Sequence, residues 1–201
     1  MSRTAEQLSA LTRALDAATQ ASSDYDLNPE VVLPANRVLR PAGVLIALVD
    51  GSDGLDVILT KRSSRLKHHP GQIAFPGGKQ DDGDRDVTDA ALREAEEEVG
   101  LPRHRVEVLG HLPSHETVTS FRMTPVIGRV TGRFDPVAEP GEVEEVFSVP
   151  LAHVTDPGRF SVQYRRWRGT RRHYFTVPFG PYYIWGATAR ILRGLADRMS
   201  Q

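Results

Sequence analysis

Nine residues near the middle of the chain, Arg93 to Leu101, constrain its fold and chemistry more than any other stretch. They read Arg-Glu-Ala-Glu-Glu-Glu-Val-Gly-Leu. In a helix, Glu94, Glu97 and Glu98 occupy positions i, i+3 and i+4, so the three carboxylates share one face. Like charges in this arrangement destabilise a helix by about 0.2–0.5 kcal/mol per pair, and a bound divalent cation reverses that effect. The stretch therefore favours a metal-binding helix that ends at Gly100.

An acidic helix face that is only solvated is the alternative interpretation, and it is common for glutamate-rich helices. The neighbouring sequence favours the metal site. A Gly77-Gly78 turn precedes the helix and lets the backbone pass close to a ligand. An aspartate-rich loop, residues 79–86, joins this turn to the helix. Arg93 can form an ion pair with Glu97 one helical turn later, which would hold that side chain in place.

Composition indicates one soluble domain with no bias toward nucleic acid. A chain of 201 residues is long enough for one sizeable core and short for two domains. Its net charge is −1, with both signs spread along the chain, so we expect no nucleic-acid partner. The absence of cysteine excludes disulfides, thiolate metal sites and a cysteine nucleophile. No apolar run reaches about 20 residues and the N-terminus lacks a signal-peptide core, so we expect a cytoplasmic protein without a membrane partner.

Hydrophobic patterning predicts strands interrupted by a central helix and flanked by terminal helices. We expect an amphipathic helix over 4–21, an extended arm that completes an N-terminal segment over 1–37, and one domain over 38–201. Phe75-Pro76 is expected to end a strand and lead into the glycine turn. The predicted strands are 44–49, 57–60, 106–109, 123–130 and 145–149, with a basic hairpin from 160–164 and 174–177. The remaining predicted helices are 89–99, capped by Asp86 or Thr88, and 184–199. This order indicates an α/β fold with a mixed sheet between helices.

The glycine, spacer and acidic helix together resemble the box of the Nudix hydrolases, here Gly78 followed by Arg93 to Leu101. The resemblance implies an α/β/α sandwich with a mixed central sheet, in which the box helix carries the active site. It also implies hydrolysis of a nucleoside diphosphate linked to another group, with Mg²⁺ or Mn²⁺ as the cofactor. The chain departs from the general box in two ways. Its loop before Arg93 is one residue longer, and the acid six positions after Gly78 is Asp84 instead of glutamate.

Both departures match one branch of that family, the coenzyme A diphosphatases, whose additional signature lies just upstream of the box. The chain contains Leu59-Thr60-Lys61-Arg62-Ser63, a spaced Leu66, and a run from His69 to Asp84 with His-Pro-Gly, Phe-Pro-Gly-Gly and two aspartates three apart. Residues 142–151 and 184–188 also resemble this branch, so the likeness covers roughly residues 38–195. It implies that coenzyme A, or its acyl or oxidised form, is cleaved to 4′-phosphopantetheine and adenosine 3′,5′-bisphosphate.

The resemblance also implies roles for the residues of the box. Glu97 and Glu98 are expected to be the principal metal ligands, with Gly78 at the same metal site. Glu94 is expected to be a further ligand or the base that takes a proton from water. Arg93 is expected to belong to the catalytic group through its contact with the acidic cluster.

For several other polar residues the sequence leaves two possible roles open. Glu142 and Glu145 are alternative bases or parts of a solvated turn. Asp81 and Asp84 either support the metal or shape their loop. The residues expected to bind substrate are Arg62, His69, Gly77, Gly78 and Lys79. Of these, His69 has a structural role as its alternative, and the alternative for Lys79 is that it only balances the neighbouring aspartates.

Coenzyme A carries a 3′-phosphate in addition to its diphosphate. Recognition of this phosphate requires a second basic site. The cluster from Arg165 to Arg172 offers one hypothesis, with Trp167 nearby for stacking. The alternative is a solvated hairpin tip.

Two other functions stay open at this point. One is a Nudix hydrolase of another nucleoside diphosphate derivative, such as ADP-ribose or a dinucleotide. The other is a Nudix-like binding module without catalysis, which the intact box glutamates argue against. The expected partner is a small molecule, and the expected assembly is a monomer or a homodimer.

Overall fold

The computed structural model describes residues 2–17, 20–67, 69–167 and 169–201. Its α-helices are α1 (Arg3–Asp16), α2 (Val87–Val99), α3 (Leu151–Val154) and α4 (Ala187–Met199). Its strands are β1 (Ser22–Ser23), β2 (Arg40–Gly51), β3 (Gly54–Arg62), β4 (Ile73–Ala74), β5 (Gly77–Lys79), β6 (Val106–His111), β7 (His115–Glu116), β8 (Phe121–Val130), β9 (Val143–Pro150), β10 (Ser161–Trp167) and β11 (Thr170–Thr176). Short 3₁₀ helices occur at Arg103–Arg105 and Pro157–Arg159. None of the helices described is long and apolar enough to cross a membrane.

Within the part of the chain that the structure describes, nine strands form one mixed sheet. Six of them follow the order β1-β7-β8-β2-β3-β4, while β5, β6 and β9 pair with β2, β8 and β3 respectively. The central strand β2 runs parallel to β8 and antiparallel to β3. Strands β10 and β11 form a separate two-stranded sheet. The mixed sheet predicted from the order of elements is therefore confirmed.

Strand β2 shows why helices lie on both faces of the sheet. Its residues 42–48 are all buried, and side chains of successive residues point to opposite faces. Val44, Ile46 and Leu48 belong to the core that also contains residues of α1 and α4. Leu45 and Ala47 belong to a second core, which contains the apolar residues of α2. A strand buried on both faces has a continuous apolar sequence. Because helices cover both faces of the sheet, the α/β/α sandwich predicted for the chain is confirmed.

Helix α2 packs directly on the backbone of β2. Asp86 caps its N-terminus by accepting a hydrogen bond from the Asp89 N–H at 2.8 Å, and Gly100 ends it with a φ of 69°. A Cβ at Gly43 would lie 1.9 Å from the Val87 carbonyl oxygen, so the helix can approach only because residue 43 lacks a side chain. The predicted helix over 89–99 is confirmed and begins two residues earlier, at Val87.

The Gly77-Gly78 segment differs from its prediction as a turn. It belongs to β5, in which Gly77 pairs with Val44 and Gly78 with Gly43. Gly77 has a φ of 150°, and a Cβ there would lie 2.4 Å from the Gly43 carbonyl oxygen. The two glycines therefore let one backbone lie closely along another instead of reversing the chain.

The basic hairpin also differs from its prediction. Strand β10 extends to Trp167, and strand β11 already begins at Thr170. Most of the arginines therefore lie within the strands instead of in a long tip. Arg168 lies outside the described residues, as does the side chain of Trp167. Helix α4 begins at Ala187, later than predicted, because Gly186 has a φ of 66° and Trp185 before it forms an antiparallel bridge with Thr176.

The N-terminal segment packs into the same core as the rest of the chain. Helix α1 contributes Leu11 and Ala14, both fully buried, and it ends at Asp16, earlier than predicted. Part of the predicted helix, Ala18 and Thr19, lies outside the described residues. Strand β1 then pairs in parallel with β7. The domain boundary at residue 37 stays a prediction, and the packing makes α1 part of the core.

Candidate active site

Glu94 and Glu98 lie one turn apart on α2, next to the two glycines of β5. The Gly77 N–H donates a hydrogen bond to Glu98 Oε2 at 3.1 Å, and Glu98 is 5% exposed. Glu94 lies against Gly78, where a Cβ would stand 2.5 Å from Glu94 Oε1. The lack of a side chain at Gly78 thus allows Glu94 to approach the strand, and the backbone N–H of Gly77 binds Glu98.

The surroundings of these two carboxylates disfavour negative charge. Burial raises the pKa of Glu98 to about 7; the Gly77 N–H opposes this shift, and Glu94 and Glu142 reinforce it. Burial also raises the pKa of Glu94, although Arg93 counteracts it. Acidic groups held together in a poorly solvated place are stabilised by a nearby cation. Their oxygens are also the ligands that hard divalent ions prefer, so the donor set fits Mg²⁺ or Mn²⁺.

Arg93 organises the acidic residues around it. Its guanidinium donates two hydrogen bonds to Asp84, at 2.9 and 3.0 Å, and a third to the Lys79 carbonyl at 3.2 Å. The same group contacts Glu94 and Glu97, each at 3.0 Å. These contacts raise the pKa of Arg93, mainly through Asp84. The predicted contact between Arg93 and Glu97 is present within α2, and the contacts of Arg93 with Asp84 and the Lys79 carbonyl join the loop to this helix.

The two aspartates of the loop hold it in shape. Asp84 accepts a hydrogen bond from the Asp81 N–H at 2.9 Å, and Arg93 lowers the pKa of the Asp84 carboxyl. Asp81 forms an ion pair with Lys79, with the Lys79 Nζ 2.7 Å from the carboxylate. Both aspartates therefore make the contacts of a folded loop, and Lys79 balances one of them.

Glu97 is separated from the other two box glutamates. Its side chain is 59% exposed and is held by Arg93. Among the residues that the structure describes, no three Asp, Glu or His side chains converge into a metal-binding group. For its carboxylate to approach Glu94 and Glu98, the Glu97 side chain must break its ion pair with Arg93. That cost is small, because an exposed i,i+4 ion pair contributes about 0.3–0.5 kcal/mol.

All five residues predicted to bind substrate line one cavity of about 290 Å³. They are Arg62, His69, Gly77, Gly78 and Lys79. Arg62 lies close enough to Glu98 to oppose the rise in its pKa. His69 has a φ of 54°, in the left-handed region that few residues other than glycine adopt. The cavity therefore adjoins the carboxylates of Glu94, which is half-buried, and of Glu98, which is buried, through its glycine wall.

The two alternative bases lie in different surroundings. The charge of Glu142 acts on both Glu94 and Glu98, and its backbone carbonyl accepts a hydrogen bond from the Ser63 N–H at 2.8 Å. Glu145 instead accepts a hydrogen bond from the Tyr182 hydroxyl at 2.5 Å. The effect of the Glu142 charge on the pKa of both carboxyls favours Glu142 over Glu145 as the residue that acts with the acidic pair.

Sequence reasoning missed much of the cavity wall. Asp24 comes from the N-terminal arm, and residues 117–119 come from the loop between β7 and β8. Aromatic side chains supply much of the remaining surface: Phe75, Phe121, Tyr174 and Trp185. No spacing along the chain connects these segments, because long-range packing brings them together. Phe75 and Trp185 could have been suspected from the sequence, because both lie in segments that resemble the diphosphatase branch.

The fold and the carboxylate site define a class of metal-dependent hydrolases that act on diphosphates. The sequence profile of the NUDIX domain matches residues 39–168. The chain therefore belongs to the Nudix family.

Two relatives support this membership over most of their length. A protein of Escherichia coli O7:K1 strain IAI39, named uncharacterized Nudix hydrolase NudL, is 43% identical over 157 residues. The match covers 78% of this chain and 81% of that protein. The protein of the same name from Cronobacter sakazakii strain ATCC BAA-894 is 41% identical over 162 residues, which cover 81% and 84% of the two chains.

Two crystal structures share the fold at low sequence identity. A MutT/nudix family protein from Enterococcus faecalis superposes with a TM-score of 0.52 and 17% identity, over 100% of this chain and 75% of that one. The MutT protein from Methanosarcina mazei Go1 has the same TM-score of 0.52 with 16% identity, over 84% and 99% of the two chains.

Nudix hydrolases act on nucleoside diphosphate derivatives and generally use divalent metal ions. When bound, such an ion neutralises charge on the phosphate oxygens and makes water a better nucleophile. In this chain Glu94 and Glu98, with Glu97 if it left Arg93, would be the residues to hold such an ion. Arg93 fixes the loop and orients these carboxylates, while Arg62 and Lys79 bring positive charge to the cavity wall.

Proposed function

We propose that this protein is a coenzyme A diphosphatase. It cleaves the diphosphate of coenzyme A, or of an acyl or oxidised form, to 4′-phosphopantetheine and adenosine 3′,5′-bisphosphate. The cofactor is Mg²⁺ or Mn²⁺, bound by Glu94, Glu97 and Glu98 with Gly78 beside them.

One observation carries this proposal. Arg62 and His69 of the diphosphatase signature line the same cavity as Gly78 of the box and its two neighbours, Gly77 and Lys79. They come from separate segments of the chain, yet they meet where the glycines contact Glu94 and Glu98. A diphosphate in this cavity lies between positive side chains and the metal-binding carboxylates, as hydrolysis requires.

The roles assigned within the site follow from these contacts. Arg62 contacts the diphosphate through its planar guanidinium, and Lys79 adds a point charge. Glu142 is the stronger of the two alternative bases because its charge acts on Glu94 and Glu98. Glu145 is the weaker one, since the Tyr182 hydroxyl already binds its carboxylate.

Product analysis tests the proposal. Purified protein is incubated with coenzyme A and Mg²⁺ or Mn²⁺, and the products are identified by mass spectrometry. We expect 4′-phosphopantetheine and adenosine 3′,5′-bisphosphate, and a loss of rate of about 100-fold or more in Glu98→Gln. The matched control is Glu96→Gln on the same helix, where the exposed side chain pairs with Arg103 instead of the site. This variant should keep its activity.

Two other results would replace the proposal with one of its alternatives. Hydrolysis of ADP-ribose or a dinucleotide, without hydrolysis of coenzyme A, would retain the site and change the substrate. No turnover of any diphosphate with either metal would indicate a binding module.

A further inference from the structure

The hairpin β10–β11 forms one wall of the cavity and presents two arginines to it. Its register places Arg165 opposite Arg172, and Arg166 opposite Arg171. Side chains of directly opposed residues lie on the same face of a sheet, and the next pair lies on the other face. Arg165 and Arg172 line the cavity, so Arg166 and Arg171 belong to the opposite face of the hairpin.

Aromatic rings hold both of these arginines. The Arg165 guanidinium lies 4.4 Å from the centroid of the Trp185 ring, and Trp185 itself lines the cavity. The Arg172 guanidinium lies 5.4 Å from the ring of Tyr25, in the N-terminal arm. Stacking on a ring restricts the orientation of a planar guanidinium, so less conformational freedom is lost when it binds an anion.

The local charges favour an anion at this wall. Like charges directly opposite each other on paired strands are destabilising, and a bound anion removes that effect. Within the described chain, Arg172 takes part in no ion pair with a carboxylate. Asp24 also lines the cavity, but its carboxylate is engaged by the Val118 N–H at 2.9 Å and by His115 Nε2 at 3.1 Å.

We propose that Arg165 and Arg172 form a second phosphate subsite, which binds a phosphomonoester of the substrate that is not cleaved. This inference rests on the proposed function, in which that group is the 3′-phosphate of coenzyme A. The paired N–H groups of each guanidinium match the geometry of phosphate oxygens. The sequence pointed to the basic cluster as a whole, and the register of the hairpin selects one arginine from each strand.

The subsite predicts a preference between two substrates that differ by one phosphate. We compare kcat and KM for coenzyme A and 3′-dephospho-coenzyme A in the wild type, Arg165→Gln and Arg172→Gln. The wild type should prefer coenzyme A, and each variant should lose about 10-fold or more in kcat/KM for it through a higher KM. Hydrolysis of the dephospho compound should change by about 2-fold or less. Arg166→Gln and Arg171→Gln remove the same charges from the opposite face and should leave both substrates unaffected.

Equal wild-type rates for the two substrates would overturn the subsite. So would a variant that loses the same factor on both.

A binding measurement separates failure of the subsite from failure of the proposed function. Adenosine 3′,5′-bisphosphate and adenosine 5′-monophosphate are titrated into the protein by calorimetry, which needs no turnover. We expect the bisphosphate to bind about 10-fold more tightly, and Arg172→Gln to abolish the difference. If coenzyme A is not hydrolysed but this difference is found, the proposed function fails and the subsite stands. If coenzyme A is hydrolysed and the two nucleotides bind equally, the subsite fails alone.

Discussion

Arg93 connects the loop after β5 to the acidic face of α2. Its guanidinium binds Asp84 with two hydrogen bonds and also reaches Glu94 and Glu97. The side chain of Asp84 is 4% exposed and that of Arg93 is 18% exposed. Water therefore solvates neither charge well in place of its partner. Removing one member of such a pair leaves the other charge poorly solvated. The residue that orients the box glutamates therefore depends on Asp84, which is not itself part of the box helix.

Replacing Asp84 with asparagine should destabilise the protein in a pH-dependent way. Arg93 lowers the pKa of Asp84 in the folded state, so the unfolded state binds a proton more readily. The stabilisation by this ion pair is therefore complete above the unfolded pKa of about 3.9, and it is lost as pH falls through the lower folded value. Asp84→Asn should cost about 1–3 kcal/mol at pH 7, and less as pH falls below about 4. Urea unfolding across this pH range measures both.

Asp82→Asn is the matched control, because Asp82 is an exposed aspartate of the same loop. It should change the free energy of unfolding by about 0.5 kcal/mol or less. A cost of Asp84→Asn that stays constant from pH 7 to well below pH 4 would show that charge does not cause it.

Among the elements, the N-terminal arm acts on the hairpin through the amide of Asn28. The Asn28 Nδ2 donates to the His173 carbonyl at 2.9 Å, and the His173 N–H donates to Asn28 Oδ1 at 2.7 Å. The side chain thus pairs with β11 as a neighbouring strand would. Asn28 is 1% exposed, and His173 directly follows Arg172. The arm therefore fixes the position of the strand that carries half of the proposed phosphate subsite.

Asn28→Ala should loosen β11 at this point. Both backbone groups of His173 lose their partner, which should cost about 1–3 kcal/mol of stability. The amide of residue 173 should also exchange its hydrogen faster than in the wild type, as measured by NMR under native conditions. Asn36→Ala changes an exposed asparagine of the same arm and should leave this exchange unaltered. Unchanged exchange at residue 173 in Asn28→Ala would contradict the role given to Asn28.

The elements that could be predicted from sequence are those specified by local pattern. Helix α2 has helical spacing, an aspartate cap and a glycine stop within about 15 residues, so its existence and end were predictable. The register of β10–β11 was not, because the apolar residues that would mark one face are few among its arginines. The contact of Asn28 with His173 joins residues 145 positions apart, and no local signal encodes it. The same holds for Gly77 and Gly78, whose extended pairing depends on the backbone of β2.

At the scale of the whole molecule, the central sheet requires cover on both faces. Helix α2 covers one face, and α1 and α4 cover the other. Leu11 of α1 is fully buried in the core that contains Ile46 and Leu192. Helix α1 also reaches β3, since the Gln7 side chain accepts a hydrogen bond from the Leu55 N–H at 2.7 Å. These contacts favour one cooperative unit that includes the N-terminal segment.

Leu11→Ala tests whether the chain unfolds as that single unit. Loss of a fully buried leucine side chain should reduce the free energy of unfolding by about 2–5 kcal/mol. Because α1 shares its core with the sheet, tryptophan fluorescence and far-ultraviolet circular dichroism should shift to the same lower denaturant concentration. Ser9→Ala, at an exposed position of α1, should shift neither signal measurably. If Leu11→Ala shifted only part of the dichroism and left the fluorescence transition in place, α1 would be a separate unit. The boundary predicted at residue 37 would then divide two folding units, whereas coincident shifts would place residues 1–37 within one domain.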